Sequence, residues 1–204
     1  ISNFVMISWK NLIKNEEKNK EIFQKFSKKA YNFHCEQNTA NYEQLPQINI
    51  EETLLGNNTG ASRYESRGAT FHEGDLDSPV YTESILKVTE YKNNSPLTQL
   101  LNQQFNKKFG FVLRNTQEPG QVVAPHVDRN TGFSNCCTID FSPDELFRAI
   151  IFLEDWKLGQ TFTFGKSSIV DWKKHDCIKF MWYMPHTTAN ASTFDRTILS
   201  YIGI

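Results

Sequence analysis

FGFVLRNTQEPGQVVAPHVD, residues 109–128, decides how the chain is read. Two apolar runs, Phe109 to Arg114 and Gln121 to Pro125, flank Glu118-Pro119-Gly120. Pro-Gly between two such runs is a turn signal, so the stretch predicts two consecutive strands. Working towards the C-terminus, further short apolar runs end at turn residues. They are Cys136 to Phe141, Arg148 to Leu153, Thr161 to Phe164, Ser168 to Trp172, Cys177 to Trp182 and Arg196 to Ile204. Many short strands about ten residues apart predict a sandwich or barrel. A doubly wound α/β fold is disfavoured, because helices do not alternate with the strands.

Working towards the N-terminus, the pattern changes. Trp9 to Phe33 has no Gly or Pro, and Trp9, Leu12, Ile13, Ile22, Phe23 and Phe26 fall at helical spacings. This predicts a support helix packed on the sheet, with a break near Lys14 to Lys20. Thr39 to Pro79 loses periodicity and reads as a surface loop, either functional or merely covering the core. It carries Arg63, Arg67, Phe71 and His72, which could face a substrate. Ser84 to Glu90 reads as a short strand or helix, and Leu97 to Phe109 as a helix. The expected organisation is one domain over 1–204. Residues 1–108 form its helical and loop-rich part and 109–204 its β core.

The chain has 204 residues, 39% of them hydrophobic, which is enough to bury a core. Its 22 basic and 23 acidic residues leave a net charge of -1, so no overall basic field draws it to nucleic acid. No apolar run approaches the roughly 18 residues of a membrane span. None of the four cysteines forms a CxxC pair, and Cys136 and Cys137 are adjacent, so reduced thiols and a cytoplasmic setting are expected. No signal-peptide pattern is visible at the start of the sequence. P-loop, GxGxxG, GxSxG and HExxH motifs are absent, which disfavours the enzyme classes built on them.

Three features of the β half belong together. His126-Val127-Asp128 ends the second predicted strand, His186 follows the strand Cys177 to Trp182, and Arg196 opens the last strand. Residues two apart on a strand face one side, so His126 and Asp128 can project an imidazole and a carboxylate to one point. A β-barrel can bring His186 to complete the face. Two His and one carboxylate with open positions form the ligand set of non-heme Fe(II) oxygenases, and zinc could use the same set. Arg148 lies on an otherwise apolar strand, and a buried Arg needs an anionic partner. Arg114 raises the same question.

The pattern His126-x-Asp128, His186, Arg196 resembles the HxD…H…R signature of the Fe(II)/2-oxoglutarate-dependent oxygenases. The resemblance covers about Phe109 to Ile204. It implies a double-stranded β-helix, a jelly-roll and cupin relative, making the fold class mainly β with flanking helices (α+β). It implies Fe(II) held by His126, Asp128 and His186, with 2-oxoglutarate as cosubstrate and O2 as oxidant. Arg196 would pair with the far carboxylate of 2-oxoglutarate, because a guanidinium fork binds carboxylate bidentately. Arg148 is a further candidate for cofactor binding, and Arg114 and Arg67 are candidates for substrate. Ser200, four residues from Arg196, is too far to share its carboxylate. Ascorbate would serve as reductant, and succinate and CO2 as by-products. The pattern looks most like aspartyl/asparaginyl-hydroxylase-like and free-proline-hydroxylase-like members, which implies hydroxylation of an amino acid or a peptidyl side chain. The lack of an Arg in Thr197 to Ile204 counts against the nucleic-acid demethylating branch, and Asp128 counts against the halogenating one. Two alternatives stay open: a cupin-type metal enzyme without 2-oxoglutarate, and a non-catalytic jelly-roll module that binds carboxylates.

Overall fold

Eight strands from residue 110 onward form two facing antiparallel sheets, and three earlier strands extend the larger one. This is a computed structural model, and it describes residues 42–56, 59–66, 85–126, 128, 133, 136–142, 145–164, 167–182 and 184–204. The expected helix over Trp9 to Phe33, and Arg67, Phe71 and His72, lie outside these residues. The elements in chain order are β1 (Tyr42–Leu45), α1 (Glu52–Gly56), β2 (Thr59–Ser66), β3 (Ile85–Tyr91), α2 (Pro96–Gln104), β4 (Gly110–Gln117), β5 (Val122–His126), β6 (Phe147–Phe152), β7 (Gln160–Phe164), β8 (Ser167–Ile169), β9 (Cys177–Phe180), β10 (His186–Asn190) and β11 (Arg196–Gly203).

The larger sheet runs β1-β9-β6-β11-β4-β3-β2 and the smaller β5-β10-β7-β8. Counting β4 to β11 as strands one to eight gives the orders 6-3-8-1 and 2-7-4-5. Consecutive strands thus alternate between sheets, except the β7–β8 hairpin in the smaller one. Two interlocked Greek keys of this kind make a jelly roll, the double-stranded β-helix. The mainly β fold class with helices on one side is therefore what the chain adopts.

The inner and outer faces of the large sheet follow from the period of two. On β11, Ile198 packs into the core between the sheets with Ile150, Phe152, Phe162, Phe164, Ile178 and Phe180. Leu199 and Tyr201 face the other way, against Leu97 and Leu101 of α2. Both faces are covered, which is why β11 reads as a nearly continuous apolar run. Helix α2 starts at a good cap: Ser95 Oγ accepts from the Thr98 amide at 3.1 Å, and Pro96 takes the first helical position. Tyr201 ties the helix to the sheet by donating to Asn102 Oδ1 at 2.8 Å.

Several expectations need correction. Thr39 to Pro79 was expected to be a loop, but its described parts hold β1, α1 and β2. The β2 sequence, TGASRYES, has no apolar alternation because β2 is an edge strand held by its ladder to β3. Cys136 to Phe141, expected as a strand, forms none: Cys137 and Phe141 pack with Phe133, Phe111, Trp182 and Ile202 as an irregular plug. Strand β10 was not expected at all.

Candidate metal centre

His126 closes β5 and His186 opens β10, and the register sets them directly opposite each other. Their rings lie 4.3 Å apart between centroids. A one-residue register shift separates this pair from Thr188↔Val123, so Ala124 and Pro125 together oppose Thr187. This is a β-bulge on an edge strand, where a residue without an N–H is tolerated. Its effect is decisive. Val123 points inwards, and strict alternation would turn His126 outwards. The extra residue restores His126 to the inner side. Thr187 helps fix the bulge by donating to the Val123 carbonyl at 2.6 Å.

Asp128 follows two residues on. Its Oδ1 lies 3.6 Å from His126 Nε2 and its Oδ2 3.3 Å from His186 Nε2. One ligand atom from each of the three residues fits within a mutual 4.8 Å. Cis ligands about 2.1 Å from one ion lie about 3 Å apart, so the set is close to ligating geometry.

His186 shows why a cation suits this place. Its Nδ1 lies 3.0 Å from the Met184 carbonyl, which can only accept, so Nδ1 carries the proton. Burial, helped by nearby His126, lowers its pKa and favours the neutral ring. The Nε2 lone pair therefore faces a carboxylate oxygen, and a cation between the two relieves that opposition. Phe162 stacks on the His186 ring at 5.7 Å and Phe180 meets it edge-on at 5.3 Å.

Burial alone would raise the Asp128 pKa. Arg148, with His186 and His126, outweighs it and holds the carboxyl well below its usual range. Arg148 Nη2 lies 2.5 Å from Asp128 Oδ2 and donates to Ser200 Oγ at 3.1 Å. Its guanidinium also sits over the Phe180 ring at 5.5 Å. The anionic partner that a buried Arg148 demands is thus the candidate ligand itself.

Arg196 lies deeper between the sheets, only 4% exposed. It donates from Nη1 to the Thr161 carbonyl at 2.9 Å and rests over Phe162 at 5.7 Å. Its Nε is buried with no hydrogen-bond partner, and it makes no ion pair among the described residues. Burial pulls its pKa from 12.5 to about 9, with Glu154 only partly opposing. Ile198 and Asn115 fill the inner face between Arg196 and Ser200, and Asn115 Oδ1 is also buried without a partner. A carboxylate of a bound ligand would satisfy Arg196, so these residues fit an anionic cosubstrate as well as a metal.

Arg114 is not brought to this cluster. Its cross-strand partners are Leu199 and Thr89, on the helix-covered face, where its charge acts on Glu52 and Tyr91. Sequence reasoning missed Ser200 as the partner of Arg148. The diagonal of the β6–β11 register, with Ser200 opposite Ile150 and Arg148 opposite Ile202, is what joins them.

No family model matches the chain, and no curated protein matches it significantly. Solved structures do resemble it. A 2OG-Fe(II) oxygenase family oxidoreductase from Burkholderia pseudomallei is 14% identical with a TM-score of 0.49, covering 85% of this chain and 89% of that one. A prolyl-4-hydroxylase from Pseudomonas putida is 13% identical with a TM-score of 0.41, covering 62% and 75%. A predicted oxalate decarboxylase from Thermotoga maritima is also 13% identical with a TM-score of 0.41, covering 70% and 91%. Similarity at this level concerns the path of the chain and not its chemistry. Among the described residues, no helix is long and apolar enough to cross a membrane.

Proposed function

We propose that this chain is an Fe(II)- and 2-oxoglutarate-dependent oxygenase that hydroxylates an unactivated C–H bond of an amino acid or a peptidyl side chain. One observation carries the reading. Three metal-type donors converge at one end of the space between the sheets, and a buried guanidinium that no carboxylate among the described residues pairs with, Arg196, lies in the same space. Fe(II), when bound, supplies the O2 chemistry that couples oxidation of 2-oxoglutarate to succinate and CO2 with substrate hydroxylation. His126, Asp128 and His186 hold the ion and leave positions open. Arg196 receives the far carboxylate and so orients the other end of the cosubstrate towards the metal. Ile150, Phe162 and Ile198 exclude water from the space between. Reduced thiols at Cys136, Cys137 and Cys177 suit a cytoplasmic setting, which belongs to the same proposal.

A cupin-type metal enzyme would share the fold and the donors but would not need Arg196. The test is formation of succinate from 2-oxoglutarate under air, with Fe(II) and ascorbate, alongside mass spectrometry of candidate amino acids and peptides. The expected result is Fe(II)-dependent succinate formation with a gain of one oxygen in a substrate. Loss of about 100-fold or more is expected in Asp128→Ala and Arg196→Met. An oxygenated product that forms equally well without 2-oxoglutarate would overturn the reading.

A further inference from the structure

The inner face of the large sheet carries an ionic group with no evident part in receiving a cosubstrate. Arg148 is the second residue of β6, its side chain is 7% exposed, and its Nη2 is 2.5 Å from Asp128 Oδ2. Two more contacts fix the guanidinium: Ser200 Oγ at 3.1 Å and the face of Phe180 at 5.5 Å. Both of these anchors lie on strands other than the segment bearing Asp128, Ser200 on β11 and Phe180 on β9. Asp128 lies beyond the end of β5, without the ladder hydrogen bonds that fix His126 and His186. The sheet ladder therefore does not fix its carboxylate, and Arg148 is bonded to it.

We infer that Arg148 is a positioning residue for the metal. It grips one oxygen of Asp128 so that the carboxylate plane stays turned towards His126 and His186, and Ser200 holds Arg148 in turn. The inference rests on the reading that His126, Asp128 and His186 bind a divalent cation. It departs from the expectation that Arg148 contacts the cosubstrate. Two effects compete. Arg148 carries a positive charge near the cation, which opposes binding by repulsion. It also fixes the ligand, and loss of such an outer partner lowers metal affinity by about 10- to 100-fold. The geometry favours the second effect, because Ser200 and Phe180, on two other strands, hold the guanidinium against Asp128 Oδ2 while Oδ1 lies 3.6 Å from His126 Nε2.

The experiment measures Mn(II) and Co(II) affinity by calorimetry, and the visible spectrum of the Co(II) form, in wild type, Arg148→Met, Arg148→Lys and Ser200→Ala. Arg148→Met should bind both metals about 10- to 100-fold more weakly, with an altered Co(II) spectrum. Arg148→Lys, which keeps charge and one donor, should recover part of the loss. Ser200→Ala should shift affinity in the same direction by less. Unchanged or tighter binding in folded Arg148→Met would overturn the inference and mark Arg148 as a structural counter-ion or a repulsive neighbour. If Arg148→Met does not fold, Arg148→Lys and Ser200→Ala decide: wild-type affinity and spectrum in both would overturn it. Wild type that binds no divalent cation would instead bring down the metal-centre reading itself.

Discussion

Replacing Arg196 with Met should make the ligand-free protein more stable while removing its use for 2-oxoglutarate. A fall in the Arg196 pKa from 12.5 to about 9 corresponds to roughly 5 kcal/mol by which burial disfavours the charge. Nothing among the described residues pairs with that charge, and its Nε has no partner. Met fills much of the same volume without charge. Against this gain, the Thr161 carbonyl loses its 2.9 Å donor, at a cost of about 1–2 kcal/mol, and the contact with Phe162 weakens. The balance is a gain of about 1–3 kcal/mol, the size seen when buried charges are replaced by apolar groups. Urea unfolding in the presence of a chelator measures it. Repeating the titration with Mn(II) and 2-oxoglutarate should stabilise wild type further, and Arg196→Met much less, because only wild type gains from the ligand. A loss of more than about 1 kcal/mol in ligand-free Arg196→Met would refute the reasoning. Arg196 would then be a satisfied structural residue.

Other outcomes follow from the same contacts. Gly159 has φ +97°, and a Cβ there would lie 2.7 Å from the Ala191 carbonyl carbon, so Gly159→Ala should cost more than about 1 kcal/mol in urea unfolding. Burial pushes the Cys177 thiol from 9.0 to about 12, so its contribution to stability is intact below pH 9 and lost as pH rises towards 12. Arg196 acts in the opposite sense over this range, so comparing pH–stability curves of wild type and Cys177→Ala isolates the thiol, and Cys177→Ala should show the smaller decline. The same burial predicts that Cys177 resists thiol reagents in the native protein, whereas half-buried Cys136 reacts before it; mass spectrometry of partially labelled protein reads the order.

Legibility in the sequence followed burial. Strands β7 and β11 were readable because apolar residues dominate them: Phe162 and Phe164 alternate with Thr, and β11 is covered on both faces, so Ile198, Leu199, Tyr201 and Ile202 outweigh the inward Arg196 and Ser200. Strand β10 was not readable, because its inward residues are His186, Thr188 and Asn190. These are polar where a core strand should be apolar, and they serve other groups, Thr188 by donating to Gln117 Oε1. His186 joins the metal cluster, and Asn190 donates to the Gln117 carbonyl at 2.8 Å. The residues that build the site thus erase the pattern that would announce their strand. The apolar run Cys136 to Phe141 misled in the other direction, since composition alone cannot tell a strand from a buried plug. At the site, the donors were legible as residue types at a spacing. The β-bulge at Pro125 that turns His126 inwards was not, because it depends on pairing with β10. Arg148 was legible as a charge in need of an anion, but only the register across β6, β11 and β9 places it beside Ser200 and Phe180.

The central claim joins a metal held by His126, Asp128 and His186 to a dicarboxylate held by Arg196. The measurement that tests it most directly is an anaerobic titration of the Fe(II)-loaded protein with 2-oxoglutarate, followed in the visible range. Chelation of Fe(II) by a 2-oxo acid gives a charge-transfer band. The account predicts a saturable band in wild type, none in His126→Ala, and a band that needs at least about tenfold more 2-oxoglutarate in Arg196→Met. Folded, iron-loaded wild type without any band, or an Arg196→Met titration that overlays wild type, would contradict it.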